Sequence, residues 1–430
     1  MRRLRKTLAF ASIAFLLCPL PVLASETWTE VHSPHFSVVT NAGEKRGREI
    51  ALRFEQMRSV FGQLMVKNKV NIPVPLQIIA FRNTKELRQH GPMFNRKAVE
   101  VAGFYQHAQD QDYILLDTSG TEDRWTTVFH EYAHLLLNGN FPPTDAWFDE
   151  GFAEYFSTLD ISGSDVQLGK PPMGDMELLH SSRWIPTADV LQVQHDSATY
   201  NVGSARNLFY AQSWVLVHYL FDMQRMPQTG KYFDLYLDKH TPMENALQQA
   251  FGMSPKQLEH AVQDYYVSPK AVYRRYKLPI NLEPMNSYTA KAITPLDAQA
   301  ILGDFDLHTM DHRDQGTAIL QAVLQQQPAN GTAHRGLGFA YLYKNQYDQA
   351  AEHFARAAEL SSSDPWVHYY AAMLLLRRGG QLSVLYPMVS LGYIWTLLWS
   401  RLFFNEPFTR AKFAGLGLIL LGVFFVGLGS

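Results

Sequence analysis

The chain has 430 residues, 47% hydrophobic, 13% aromatic and 18% charged, which suits two or three packed domains and excludes a disordered protein. Its 38 basic and 40 acidic side chains give a formal charge of −2, so no cationic excess points to nucleic acid. The single cysteine, Cys18, excludes an intramolecular disulfide and any cysteine-built zinc site.

The first six residues carry four basic side chains, Thr7 to Leu23 is uncharged, and Ala24-Ser25 follows. That order predicts a signal peptide over 1–24, cut after Ala24. Export would leave a mature chain with a charge of −6 and no thiol. Such a chain suits an oxidising, extracytoplasmic compartment such as a periplasm.

Next, alternation predicts a strand around His35–Thr40. Helical spacing of Ile50, Phe54, Met57 and Phe61 predicts a helix over Glu44–Met65. Val74–Phe81 reads as a buried strand, and Gly103–Gln106 with Tyr113–Asp117 as a hairpin. From Glu122 to about Tyr276 the pattern is mostly helical. Strands followed by helices predict an α+β domain over 25–278.

Thr126–Leu137 contains His130-Glu131-x-x-His134 inside an unbroken apolar pattern of Val128, Phe129, Ala133, Leu135 and Leu136. Positions i and i+4 share a helix face, so both imidazoles can meet one metal ion. Glu131, beside that face, can deprotonate a water there. Pro142 and Pro143 close the helix, and a second opens at Ala146 with Glu150 and Glu154 one turn apart. Catalytic zinc takes three protein ligands and keeps one position open. Glu150 can supply the third ligand, and Glu154 can accept the free ring N–H of a ligating histidine. Trp147, Phe148, Phe152, Tyr155 and Phe156 surround these carboxylates, which argues against a simple solvated face.

His130-Glu131-x-x-His134 followed by Trp147-Phe-Asp-Glu150-Gly-Phe-Ala-Glu154-Tyr155 resembles the gluzincin metallopeptidases, the peptidase MA-like superfamily. The resemblance covers about Trp28–Tyr276. It implies a thermolysin-like α+β fold, Zn2+ as cofactor and a peptide or protein substrate. It assigns the third-ligand role to Glu150 and the supporting role to Glu154. Only 15 residues separate His134 from Glu150, fewer than in thermolysin-like relatives, so both carboxylates stay open as ligand. The segment of aminopeptidase relatives that holds the substrate's amino terminus has a counterpart in Gly91-Pro-Met-Phe-Asn95. Phe94 replaces its glutamate, which points away from aminopeptidase action. The hairpin Gly103–Asp117 is the candidate edge for pairing with an extended peptide. His195, Tyr200 and Tyr210 are candidates to stabilise an oxyanion, Tyr210 first among them.

Residues 279–294 read as a proline-containing polar linker. Over 295–380 the pattern is helical, and Gly338, Tyr341, Ala350, Phe354 and Ala357 fall at spacings that resemble tetratricopeptide repeats. A weaker copy precedes them over Pro295–Pro328, and a third begins at Asp364. Such hairpins would bind a protein partner or present substrate. The array stops abruptly at Arg378-Gly-Gly380.

Leu382–Ser400 and Phe413–Ser430 are charge-free for 19 and 18 residues, each long enough to span a bilayer. The mean hydropathy of −0.17 conceals them. They predict a transmembrane hairpin over 381–430, with Arg401, Arg410 and Lys412 on the cytoplasmic side. Leu382–Tyr393, Asn405-Glu-Pro-Phe408 and Ala414–Gly422 resemble the last two helices of drug/metabolite (small multidrug-resistance-like) transporters. Those proteins need at least four helices per subunit, so the resemblance implies a membrane hairpin and no transport. The junction fits a natural tether or a fusion or frameshift product.

Together these readings predict an exported zinc metallopeptidase of gluzincin type, tethered to the membrane and without a nucleic-acid partner. The alternative is a non-catalytic metal-binding and interaction protein.

Overall fold

Short β-branched and aromatic runs set the centre of the molecule. The computed structural model describes residues 27–377 apart from 73, 95–96, 100, 120–122, 172–173, 198–202, 269–272 and 361–363, with 409, 412, 415, 417 and 418 in the tail. The expected leader, and the tail hairpin save those five positions, lie outside the described residues. Among the described residues no helix is long and apolar enough to cross a membrane.

The strands β1 (Trp28–His32), β2 (Ser37–Thr40), β3 (Leu76–Phe81), β4 (Gly103–Gln106), β5 (Asp112–Asp117) and β6 (Thr289–Ile293) form one sheet in the order β6-β1-β2-β3-β5-β4. β2, β3 and β5 run parallel, while β6, β1 and β4 pair antiparallel with their neighbours. The period of two sorts side chains onto two faces. Val38, Ile78, Ile114 and Leu116 share a core with Ile50, Phe54 and Phe61 of α1 (Glu44–Leu64) and with Phe129 and Ala133 of α2 (Asp123–Asn140). Val39, Ile79, Phe81, Tyr113 and Leu115 point the other way, onto Leu87 and onto Ala298 and Phe305 of a later helix. Burial on both faces explains the unbroken apolar runs in β3 and β5.

The structure departs from the expected organisation in the linker segment and in the helical half, among other places. Residues 289–293, expected as linker, form β6, an edge strand paired with β1. Its residues are largely exposed, so it lacks the apolar alternation that marks a strand, and its partner lies near the other end of the chain. The helical half also holds a small sheet of Asp160–Ser162, Asp165–Leu168 and Arg274–Lys277. Those strands have three or four residues each, too few to leave a periodic signal.

α3 (Ala146–Ser157) and α4 (Gly203–Asp222) precede β6 and belong to the first unit; after β6 come the helical hairpins of α5 (Pro295–His308), α6 (Arg313–Gln326), α7 (Gly331–Tyr343), α8 (Tyr347–Leu360) and α9 (Pro365–Arg377). Equivalent helices start 34 residues apart, at Arg313 and Tyr347 and at Gly331 and Pro365. A Cβ added at Gly338 would lie 2.9 Å from the Phe354 ring, so a small residue there lets α7 and α8 pack closely.

These hairpins are tied to the sheet rather than hung from a linker. Phe305 of α5 is fully buried against it. Arg335 of α7, also buried, is hydrogen-bonded to Asp304 of α5 and to Asp110 of the β4–β5 loop. The Tyr113 hydroxyl donates to Asp304 Oδ2 at 2.6 Å, and His308 Nε2 lies 3.4 Å from Asp110 Oδ1. Buried ions need such partners, because a lone charge in the interior is costly.

α3 crosses α4 at Gly151, where an added Cβ would fall 2.2 Å from the Ser213 carbonyl oxygen. Backbone cannot rotate out of the way as a side chain would. Gly151→Ala is therefore expected to lower the unfolding free energy by about 1–3 kcal/mol, read from the urea midpoint. An unchanged midpoint would show that the crossing tolerates a methyl group.

Candidate metal centre

Val128, Phe129, Tyr132, Ala133 and Leu136 bury one side of α2. The 3.6-residue period therefore turns His130, Glu131 and His134 to the other side. The turn through Pro142 and Pro143 brings the chain back, and α3 packs against α2. Phe148, Phe152, Ala153 and Phe156 anchor α3 in the core. Glu150 is thereby held beside the two histidines with only 3% of its side chain exposed.

Three donor atoms converge. His130 Nε2 lies 3.2 Å from His134 Nε2 and 3.2 Å from Glu150 Oε2, and His134 Nε2 lies 3.5 Å from the same oxygen. A tetrahedral zinc with bonds of about 2.0–2.1 Å places its ligands roughly 3.3–3.4 Å apart. The triangle fits that spacing, so these groups can hold a divalent cation. Among the described residues this is the cluster of histidines and carboxylates with the geometry for a metal ion.

Glu154, one turn further along α3, meets the other side of the His130 ring, with Oε1 3.4 Å from Nδ1. It thus stands behind the histidine rather than in the triangle. The electrostatics separate the two glutamates. Burial alone would raise the Glu150 pKa, but hydrogen bonds and charge from His130 and His134 hold it well below the usual carboxylate range. Burial, with the negative charge of Glu150, raises Glu154. His130 is pushed up: burial opposes its charged form, but Glu150, Glu154 and Glu131 outweigh that.

The triad opens into a cavity of about 400 Å³, also lined by Glu131, Asn138, Asp149, His195, Arg206 and Tyr210. The Tyr210 ring stacks on His130 at 6.3 Å with an interplanar angle of 10°. His195 Nε2 lies 3.5 Å from Asp149 Oδ2, and Asp149 also accepts the Thr144 hydroxyl. Tyr200 lies outside the described residues. β4 is an edge strand of the sheet and packs on α2. Gly103 permits this, since a Cβ there would fall 2.5 Å from Val128 Cγ2. Burial and the charges of Asp112 and Glu131 push up the Tyr105 hydroxyl of β4.

The structure thus groups His130, Glu131, His134, Glu150, His195 and Tyr210 around one cavity, with Glu154 behind His130. Arg206, Asp149 and Asn138 were not singled out from the sequence. Arg206 precedes Tyr210 by one helical turn, a spacing that shares a face and could have flagged it.

Residues 124–239, which carry all these groups on α2, α3 and α4 and, for His195, on the segment between α3 and α4, match a family described as a protein of unknown function, DUF1570. A different relationship covers 16% of the chain. Over 77 residues it is 36% identical to the probable 4-amino-4-deoxy-L-arabinose-phosphoundecaprenol flippase subunit ArnE of Pseudomonas paraeruginosa (strain DSM 24068 / PA7), spanning 67% of that protein. That stretch belongs to the family of this flippase subunit. Neither relationship names a peptidase.

Proposed function

We propose that this protein is a zinc-dependent metallopeptidase, an endopeptidase acting outside the cytoplasm. The observation that carries the reading is the convergence of His130, His134 and Glu150, with Glu131 on the wall of the same cavity. When bound in such a centre, zinc polarises the scissile carbonyl and acidifies the attacking water. Glu131 takes the proton of that water and delivers it to the leaving amine. Glu154, at Nδ1 of His130, orients that ring. Tyr210, stacked on His130, is the candidate donor to the oxyanion. β4 offers a sheet edge along which an extended peptide can pair. The hairpins from α5 to α9 supply a tetratricopeptide-like surface for a protein partner or the substrate. The basic, apolar leader supports export. The similarity to a flippase subunit and the two charge-free runs of the tail support a membrane-tethered location.

Purified protein is expected to hold one zinc per chain and to hydrolyse a mixed peptide library. Chelation should abolish the activity, and added zinc should restore it. Bound zinc with no hydrolysis of any peptide would favour the non-catalytic alternative. Failure to retain zinc would overturn the reading. Because the pKa of His130 is raised, zinc must displace a proton from it below a pH that lies above 6.5. Zinc affinity should fall on acidification from there by about tenfold per pH unit for one displaced proton. A titration flat down to pH 6 would contradict this.

A further inference from the structure

We propose that Arg206 is the substrate-anchoring residue of this centre and that it selects peptides bearing a carboxylate near the scissile bond. The inference rests on the metallopeptidase reading and names its substrate class.

The guanidinium of Arg206 sits 5.0 Å above the Tyr210 ring, and Nη2 donates to the Tyr210 hydroxyl at 3.4 Å. Tyr210 in turn lies parallel to the His130 imidazole. Arg206 is therefore held one aromatic ring away from a metal-binding histidine, at the exposed mouth of the cavity. Stacking on a ring restricts the planar fork, so less freedom is lost when it engages a ligand.

The charges around it determine what that ligand is. Glu131, Asp149 and Glu150 line the same cavity, and Glu154 is close behind. Among the described lining residues, Arg206 alone is positively charged at every working pH. An anionic substrate group would be repelled by these carboxylates and attracted at Arg206, whose charge also acts on Glu154. A neutral peptide offers single carbonyl oxygens, which uncharged donors such as Asn138 can serve. A carboxylate offers two oxygens in the geometry of the guanidinium fork, and such charge-assisted pairs are the stronger ones. The carboxylate can come from the peptide's free C-terminus or from an aspartate or glutamate side chain.

Two matched peptide pairs separate the sources. One pair differs only in a C-terminal carboxylate or amide. The other is blocked at both ends and differs only in glutamate or glutamine beside the cleaved bond. In one pair, the carboxylate member should have a kcat/KM about 10- to 100-fold higher. Arg206→Gln should erase that ratio through KM, and Arg206→Lys should restore part of it. Binding of the same pairs to full-length Glu131→Gln protein, measured calorimetrically, reads the ratio without turnover. Equal values within both pairs, or an Arg206→Gln loss identical for both members, would overturn the proposal. Equal or absent binding to Glu131→Gln protein would do the same. If the unsubstituted protein cleaves nothing while the binding ratio persists, the peptidase reading fails and the anchor stands.

Discussion

Glu131→Gln is expected to keep its zinc and lose peptide hydrolysis by about 10²–10⁴-fold. The side chain lies on the cavity wall beside the triad, and the three converging donor atoms belong to other residues. Glutamine has the same shape and retains an acceptor oxygen, so α2 and its packing on the sheet are preserved. It cannot take a proton from water at neutral pH, nor pass one to a leaving amine. The two readouts therefore diverge: zinc content should stay at one per chain while kcat falls. An undiminished kcat would remove Glu131 from the chemistry. Loss of zinc along with activity would make it a ligand and call for a different arrangement of the centre.

The parts of the site that were legible in the sequence are those built from short-range periodicity. His130 and His134 are one turn apart on α2, and Glu150 and Glu154 one turn apart on α3. The short loop between these helices left them little choice but to pack together. Edge strand β4 was legible because its partner β5 follows within a few residues. What the sequence did not disclose depends on contacts between distant residues. β6 finds β1 from the far side of the chain, and its exposed edge carries no alternation. Asp110, Asp304, His308 and Arg335 read as ordinary surface charges when taken singly. Only the docking of α5 and α7 on the sheet buries them as a network. Arg206 is similar, since its position at the cavity beside His130, His134 and Glu150 depends on how α4 lies across α3.

That crossing also bears on the question the sequence left open, which of the two glutamates is the third ligand. Glu150→Gln is expected to weaken zinc binding more than Glu154→Gln, whose cost should stay within the 10–100-fold expected for an orienting partner. Only Glu150 places an oxygen within 3.2 and 3.5 Å of both Nε2 atoms. Glu154 reaches His130 from Nδ1, the side facing away from the triangle. Ionisation favours the same assignment. A metal ligand must be deprotonated, and Glu150 is held well below the ordinary carboxylate range while Glu154 is raised by burial and by the charge of Glu150. Glu150→Gln leaves the two imidazole Nε2 atoms 3.2 Å apart without the carboxylate that faces both, which further disfavours a cation there. Competition against a chromophoric chelator gives both affinities on one scale. If Glu154→Gln proves the more damaging, the carboxylate one turn later is the ligand, and α3 must rotate to bring it into the triangle. Equal losses would mean that the two carboxylates act as one unit, with neither role separable from the other.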